Sequence, residues 1–331
     1  MDEGRRRFGL LAAAEGLMPM PAIPADVCPE GYPKRPITLI VGQPLGDGAD
    51  LIARHVASLM EETLGQKIII ENRPGAAGNV AAASVARMNC DGYVLFLAAR
   101  PVILHKRMYR DIKYDFFRDF APVGMVARVP YVLIMGKHVV ARTLQDVIAL
   151  ANEYPEMLTC GSGGVGSTTH LLCETLRERA RLPWTHIPYN GDTPALVDVI
   201  AGRLDFSIVT APSVLTHIDS GNIRAITVFS RKRVFMMSSV PSLSEYGFMD
   251  ADAEGWFALM APTGTPSHAI ARLNQAINGA LVKPAIRTRL ARAGFVMPFS
   301  NNTSDDLETF LKDDAEKWIA TIDARQIGGI Q

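Results

Sequence analysis

The chain has 331 residues, which is enough for two α/β lobes with separate hydrophobic cores, because single cores stop growing at roughly 250 to 300 residues. Its 34 basic and 34 acidic side chains give a formal net charge of zero, which removes the sequence-wide electrostatic argument for binding nucleic acid. The hydrophobic fraction of 48% is that of a globular protein, and no segment supplies the ~18 uninterrupted apolar residues of a membrane span.

The amino terminus has the residue order of an export signal. Arg5, Arg6 and Arg7 precede Phe8 and a short apolar stretch, and a proline-rich segment ends near Ala25. A basic region followed by an apolar region and then small residues is typical of a secretory signal, and the paired arginines are typical of the twin-arginine type. We therefore predict an export signal over residues 1–25 and a periplasmic location.

Short β-branched or aromatic runs alternate with helix-period segments from residue 37 onward. The predicted strands are 37–41, 67–71, 93–98, 131–135, 204–209, 223–229 and 256–260. The predicted helices between them lie at 51–64, 77–88, 144–153, 167–181, 192–201 and 211–220. This alternation predicts an α/β protein with parallel sheets covered by helices.

Only helices are predicted after the last strand. One follows Pro266 and another begins at Pro284. The third is capped by Thr303 or Ser304, and its apolar residues from Leu307 to Ile322 form one stripe. A stripe of this strength needs a sheet to cover, and we expect it to cover the amino-terminal sheet.

Two glycine-rich loops, at 42–50 and 161–169, are each interpreted as leaving a strand and entering a helix. In a parallel sheet such loops lie at the carboxyl edge, where ligands bind and where each helix start presents unpaired N–H donors. Two such loops can bind a carboxylate without any lysine or arginine. The alternative is that both are only tight connections.

The second loop also raises the alternative of a nucleotide-dependent enzyme, because Gly161, Gly163 and Gly166 satisfy G-x-G-x-x-G. The acidic residue that should bind the ribose about 20 residues later is missing, since residues 182–188 contain no carboxylate. Cys160 also stands where a nucleophile elbow around Ser162 would need glycine. We therefore predict a protein that is not an enzyme.

Neither the cysteines nor the histidines indicate a metal or redox centre. Cys28, Cys90, Cys160 and Cys173 have no C-x-x-C spacing. An oxidising compartment would permit one disulfide, but the apolar helical face around Cys173 favours a buried free thiol. The seven histidines are scattered over different elements, which favours structural roles, so no metal and no cofactor are predicted.

An ordered set of motifs across the chain resembles that of the Bug (TctC-like) periplasmic solute-binding receptors. The motifs are YPKRPI at 32–37, ENRPGAAGN at 71–79, DGY at 91–93, YD at 114–115, DFAPV at 119–123, HIPY at 186–189, PAL at 194–196, GWFALMAP at 255–262 and GTP at 264–266. Each motif is short, but the ordered set is specific and covers the chain from Tyr32 to the carboxyl terminus.

The resemblance implies a two-lobed type II periplasmic-binding-protein fold with a ligand cleft between the lobes. Lobe 1 would comprise residues 32–135 and 255–331, and lobe 2 residues 136–254. The implied function is that of a monomeric extracytoplasmic receptor, which captures a small carboxylate or an amino acid and delivers it to the membrane subunits of a tripartite tricarboxylate transporter.

The resemblance also carries ligand contacts onto the two glycine-rich loops, the strand end near Thr210 and the segment before Ala195. The predicted site residues are Pro44, Leu45, Gly46, Asp47, Gly48, Asp50, Ser162, Gly163, Val165, Gly166, Ser167, Thr168, Thr169 and Thr210. This assignment agrees with the helix-start argument, in which two loops face one anion across a cleft.

The first loop departs from the family pattern of two prolines and consecutive glycines, because Leu45 and Asp47 interrupt it. In lobe 2, Val209 and Thr210 stand where the family often has an acidic residue and an amide. A carboxylate in an anion-binding loop opposes an anionic ligand unless it is compensated. Either Asp47 turns to solvent and favours the helix start, or it contacts the ammonium group of an amino-acid ligand.

Overall fold

Two five-stranded sheets, each covered by helices, organise the chain. The computed structural model describes residues 31–248, 253–298 and 302–324, so the predicted export signal and Cys28 lie outside the described residues. Tyr32–Gln331 form one compact unit. Within the described ranges, no helix has both the length and the apolar character needed to cross a bilayer.

Within the described residues, ten strands and eleven α-helices follow one another. The strands are β1 (Ile37–Val41), β2 (Ile68–Asn72), β3 (Val94–Ala99), β4 (Phe120–Val129), β5 (Tyr131–Gly136), β6 (Thr159–Ser162), β7 (Thr185–Pro188), β8 (Phe206–Thr210), β9 (Ile223–Val228) and β10 (Gly255–Pro262). The helices are α1 (Gly48–Leu64), α2 (Asn79–Val85), α3 (Arg100–Met108), α4 (Phe116–Asp119), α5 (Leu144–Glu153), α6 (Thr168–Ala180), α7 (Asp192–Ile200), α8 (Leu215–Asp219), α9 (Ser267–Leu281), α10 (Pro284–Arg292) and α11 (Ser304–Ala324).

The strand order is β2-β1-β3-β10-β4 in the first sheet and β7-β6-β8-β5-β9 in the second. The prediction of purely parallel sheets is wrong. Strand β10 runs antiparallel to β3 and β4, and β5 runs antiparallel to β8 and β9. Strand β5 is the first strand after the chain passes from the first sheet to the second, and β10 is the first strand after the chain returns. Each of these two strands runs opposite in direction to its neighbours in the sheet.

The strand at 131–135 needs a correction. The sequence-based boundary assigned it to lobe 1, whereas β5 pairs with β8 and β9 in the second sheet. The chain therefore passes from the first sheet to the second at Pro130, the single residue between β4 and β5. Below, lobe 1 denotes the part built on the first sheet and lobe 2 the part built on the second.

The carboxyl-terminal helix packs as its apolar stripe predicts. Helix α11 contacts β4 and α3 of lobe 1, and Leu307, Leu311, Trp318 and Ile322 are buried. Thr303 caps it by accepting a hydrogen bond from the N–H of Asp306 at 3.1 Å. This packing ties the end of the chain to the sheet formed by its beginning.

Candidate functional site

A small cavity lies between the two lobes, at the carboxyl ends of β1, β6 and β8. Its volume is about 60 Å³, which is room for roughly four to six water molecules. The lining residues are Gly42, Gln43, Pro44, Asp47, Pro74, Gly75, Ala76, Ala77, Ala99, Pro101, Tyr131, Gly163, Ser167, Thr168, Thr169, Asn190, Gly191, Asp192, Thr210 and Phe257. Both glycine-rich loops therefore contribute to one cavity.

Asp47 is the residue before α1 and caps that helix. Its Oδ1 accepts a hydrogen bond from the N–H of Ala49 at 3.3 Å, and its Oδ2 accepts one from the N–H of Asp192 at 3.3 Å. The side chain is only 4% exposed, so the interpretation that Asp47 turns to solvent is wrong. Burial, with a smaller contribution from Asp50, raises the pKa of the Asp47 carboxyl to about 6.

Other predicted residues of the first loop do not line the cavity. Leu45 is 67% exposed. Asp50 is buried and binds away from the cavity, where its carboxylate accepts hydrogen bonds from Gly46, Arg54 and Asn72. The ion pair of Asp50 with Arg54 stabilises the first loop on the side away from the cavity. Burial alone would raise the pKa of the Asp50 carboxyl, but the hydrogen bonds from Arg54 and the other donors outweigh it and hold the pKa below its usual value.

In the second loop, the start of α6 faces the cavity. Ser167 caps the helix by accepting from the N–H of His170 at 3.1 Å, and Thr169 accepts from the N–H of Gly163 at 2.8 Å. Thr168 is 3% exposed, and its hydroxyl has no hydrogen-bond partner among the described residues. The Tyr131 hydroxyl lies beside it, without a hydrogen bond of normal geometry between the two.

The glycines of the second loop are explained by close packing. A Cβ on Gly161 would lie 2.3 Å from Leu204, and one on Gly163 would lie 2.5 Å from the Asp192 carboxylate. Gly166 has a positive φ of 78° and lies against Tyr109. The G-x-G-x-x-G pattern is thus accounted for without a nucleotide.

The remaining predicted residues of this loop lie just outside the cavity and support it. The Ser162 hydroxyl is 2.7 Å from His186 Nε2, and Val165 accepts a hydrogen bond from the hydroxyl of Tyr109. The N–H of Gly166 donates to His170 Nδ1 at 3.2 Å. Both imidazoles therefore hold the backbone that carries Thr168.

The sequence analysis treated the histidines as scattered, but His170 and His186 stack with ring centroids 4.5 Å apart. Together with Glu174 they present one possible metal-ligating atom each, all within 4.8 Å of one another. However, His170 Nδ1 accepts from Gly166, so the proton of the neutral ring lies on Nε2. Binding a metal at Nε2 would move the ring proton to Nδ1, which could then no longer accept from the N–H of Gly166. The observed hydrogen bond therefore favours a structural role for this pair of histidines.

Acid is expected to destabilise the protein through these two histidines. Burial is the main reason that the pKa values of His170 and His186 fall to about 4, so the unfolded chain takes up protons first as the pH falls. Stability should therefore be full above about pH 6.5 and be lost progressively towards pH 4. The urea midpoint of the wild type and of His170→Gln/His186→Gln measures this. An identical decline in both proteins over this range would contradict the assignment.

Contacts across the cleft show that the lobes are closed in this structure. A Cβ on Gly191 would lie 2.5 Å from Pro44, and one on Gly48 would lie 2.6 Å from the Thr210 hydroxyl. Glycine at these two positions permits an approach that no other residue would allow.

The cavity attracts anions through backbone groups. The starts of α1, α3, α6 and α7 all contribute lining residues, and each helix start carries a partial positive charge, although Asp47 already accepts from the N–H groups of Ala49 in α1 and Asp192 in α7. None of the lining residues of this cavity is a lysine, an arginine or a histidine. A carboxylate bound here would be held by N–H and hydroxyl groups.

Four polar residues of the cavity are absent from the predicted site residues, namely Gln43, Tyr131, Asn190 and Asp192. Tyr131 lies in a buried strand whose pattern gives no sign of a ligand contact. Asp192 was included only as part of the segment before Ala195, although it is the first residue of α7 and is 7% exposed. The position of Asp192 at the start of a predicted helix is the sequence feature that could have identified it.

A two-lobed α/β fold with a cavity lined by helix starts at its cleft defines the class of solute-binding receptors. The sequence model described as Tripartite tricarboxylate transporter family receptor matches residues 52–327. The chain belongs to this family, as the motifs predicted.

Individual relatives agree with the assignment. The chain is 34% identical to Protein BugT of Bordetella pertussis over 95% of this chain and 96% of the relative. Among solved structures, R. palustris Rpa4515 with adipate has 30% identity and a TM-score of 0.87, over 90% of this chain and all of that one. MatC from Rhodopseudomonas palustris with bound malate has 27% identity and a TM-score of 0.82, over 88% of this chain and 100% of the other.

Proposed function

We propose that this chain is an exported, periplasmic receptor that captures a small carboxylate in the cavity between its lobes and delivers it to the membrane subunits of a transporter. The observation that carries the proposal is the buried, unpartnered hydroxyl of Thr168 at the start of α6, inside a cavity formed by four helix starts. Related receptors with adipate and with bound malate support a carboxylate as the ligand class.

The carboxylate group of the ligand requires no positively charged partner from the protein. Charge-assisted hydrogen bonds from backbone N–H groups contribute on the order of 1.5 to 3 kcal/mol each. At the start of α6, the Ser167 hydroxyl takes the N–H of His170 and leaves those of Thr168 and Thr169 for a ligand. A bound carboxylate would accept from these groups and from the Thr168 hydroxyl.

Delivery depends on closure. The ligand would meet one lobe first, and the second lobe would complete the site as Gly48 approaches Thr210 and Gly191 approaches Pro44. The closed form would be the form that the transporter recognises. No covalent bond changes in this cycle, so the proposed receptor has no catalytic residue. The proposal also includes a monomeric receptor.

A thermal-shift panel of mono-, di- and tricarboxylates and amino acids tests the proposal. A ligand at 100 times its dissociation constant adds about 2.7 kcal/mol of stability. Stabilisation by NAD or NADP, with none by any acid in the panel, would instead support the nucleotide-dependent enzyme.

Thr168→Val is the matched variant for this site. Among the described residues this hydroxyl has no hydrogen bond of normal geometry, so replacing it with an isosteric methyl group should not lower the free energy of unfolding. Ligand affinity should fall by about tenfold, which is about 1.4 kcal/mol, because one hydrogen bond to the carboxylate is lost. Affinity within twofold of the wild type in calorimetry would remove Thr168 from the site.

A further inference from the structure

Two carboxylates face the same cavity from opposite lobes. Asp47 precedes α1 of lobe 1, Asp192 opens α7 of lobe 2, and they are 4% and 7% exposed. The N–H of Asp192 donates to Asp47 Oδ2 at 3.3 Å, so the two residues meet across the cleft. The Asp192 carboxylate also accepts from the Thr169 hydroxyl at 3.3 Å.

These hydrogen bonds only partly compensate the two charges. Each is longer than the usual value of about 2.9 Å for such bonds and leaves lone pairs on both carboxylates. Burial, and for Asp192 the neighbouring charge of Asp47, raises the pKa of both groups above the ordinary value. A positive charge between them would remove this cost.

The residues lining the cavity supply no such charge. Arg54 is bound to Asp50 behind the first loop, and Arg100 is bound to Asp314 inside lobe 1. The remaining sources of positive charge are a proton shared by Asp47 and Asp192 or a cationic group of the ligand. The unpartnered Thr168 hydroxyl is an independent sign that a polar ligand group belongs in this cavity.

We propose that the ligand is a small amino acid, whose protonated amine lies between Asp47 and Asp192 while its carboxylate lies on the N–H groups at the start of α6. This assignment rests on the proposed receptor function and names its ligand class. An ammonium group has three donors and no acceptor, which matches two carboxylates and a lone pair of the Thr168 hydroxyl, whose own O–H still donates to the carboxylate of the ligand. A cavity of about 60 Å³ favours a compact molecule.

The pairing also gives selectivity. A plain dicarboxylate would place a third negative charge beside two buried acids, so like-charge repulsion would reject it unless the acids were protonated. Backbone N–H groups alone would not distinguish an amino acid from the corresponding plain acid. The two aspartates would therefore be the residues that determine specificity.

Calorimetry with matched pairs of ligands tests this proposal. The pairs are L-aspartate with succinate, L-glutamate with glutarate, L-alanine with propionate, and 4-aminobutyrate with butyrate, each at about pH 7.5. Within at least one pair, the amine-bearing member should bind at least tenfold more tightly than its partner. Asp47→Asn and Asp192→Asn keep the shape and remove the charge, and each should weaken that binding at least tenfold. The plain acid should bind as well as before or better.

Asp146→Asn is the matched control, because Asp146 likewise caps a helix start, that of α5, but lies outside the cavity. Circular dichroism of all three variants checks that they fold. If the plain acid binds the wild type as tightly as its amine-bearing partner in every pair that binds, the proposal is overturned and a shared proton compensates the acids. Binding of no acid of either kind would contradict the receptor function itself.

Discussion

Replacing Asp314 by asparagine is expected to destabilise the protein by about 3 to 5 kcal/mol, the cost of leaving one partner of a buried ion pair uncompensated. Arg100 and Asp314 are 3% and 9% exposed. The guanidinium donates to the carboxylate through Nε at 2.8 Å and Nη2 at 3.1 Å. The Trp256 ring N–H donates to the same carboxylate at 2.8 Å. An asparagine offers one oxygen to these three donors and turns an N–H₂ group towards the rest.

The pair joins α3 to α11, so its loss should loosen the carboxyl-terminal helix from lobe 1. Urea unfolding followed by tryptophan fluorescence measures the change directly, because Trp256 donates to Asp314 and Trp318 lies under the Arg100 guanidinium at 4.6 Å. Asp313→Asn is the control, since Asp313 is the exposed neighbour on the same helix and its replacement should stay within about 0.5 kcal/mol. If Asp314→Asn unfolds within 1 kcal/mol of the wild type, the ion pair is not what holds α11.

Helices with one apolar face could be predicted from the sequence, because the spacing of their apolar residues lies within one continuous segment of the chain. The stripes of α1 and α11 indicate both their position and the side that is buried, and Gly65 ends α1 in the left-handed conformation that favours glycine. The direction of β5 and β10 could not be predicted in this way. Strand direction depends on the route by which the chain returns to a sheet, and that route is not encoded in a run of five residues.

Strand β4 and helix α3 are among the elements absent from the predicted set, and their composition is misleading. Strand β4 contains Pro122 and Gly124, which are depleted in strands, although its pairing with the long β10 stabilises it. Helix α3 has a basic last turn and a weak apolar pattern, but Pro101 in its first turn is typical of a helix start. Tertiary packing outweighs local preference in both cases.

The candidate site was predictable where it depends on single loops. Asp47, Ser167 and Thr168 lie on strand-to-helix connections whose position at a sheet edge follows from the alternation of strands and helices. The contact of Asp47 with Asp192 was not predictable, because the two residues are 145 positions apart and meet only when two lobes close. That contact is the feature that points to an amine in the ligand.

Gly48→Ala is expected to weaken ligand binding by about 1 to 3 kcal/mol, which is roughly 5- to 150-fold, without destabilising the free receptor. Gly48 is the first residue of α1 in lobe 1, and a Cβ there would lie 2.6 Å from the hydroxyl and 3.3 Å from the Cβ of Thr210 in lobe 2. The clash exists only when the lobes are closed. An alanine at a helix start costs nothing in an open receptor and reduces the entropy of the unfolded chain.

Thr210→Ala provides the double-mutant cycle for this contact, because it removes the hydroxyl that the new methyl group would meet. Adding Gly48→Ala to Thr210→Ala should then lower affinity by no more than about threefold, and small-angle scattering should show that Gly48→Ala needs more ligand than the wild type to become compact. If Gly48→Ala lowers the free energy of unfolding of the ligand-free protein and leaves the ligand affinity unchanged, the lobes are already closed without ligand. Closure would then not be the step that the ligand drives, because a ligand shifts an equilibrium only by its difference in affinity for the two states.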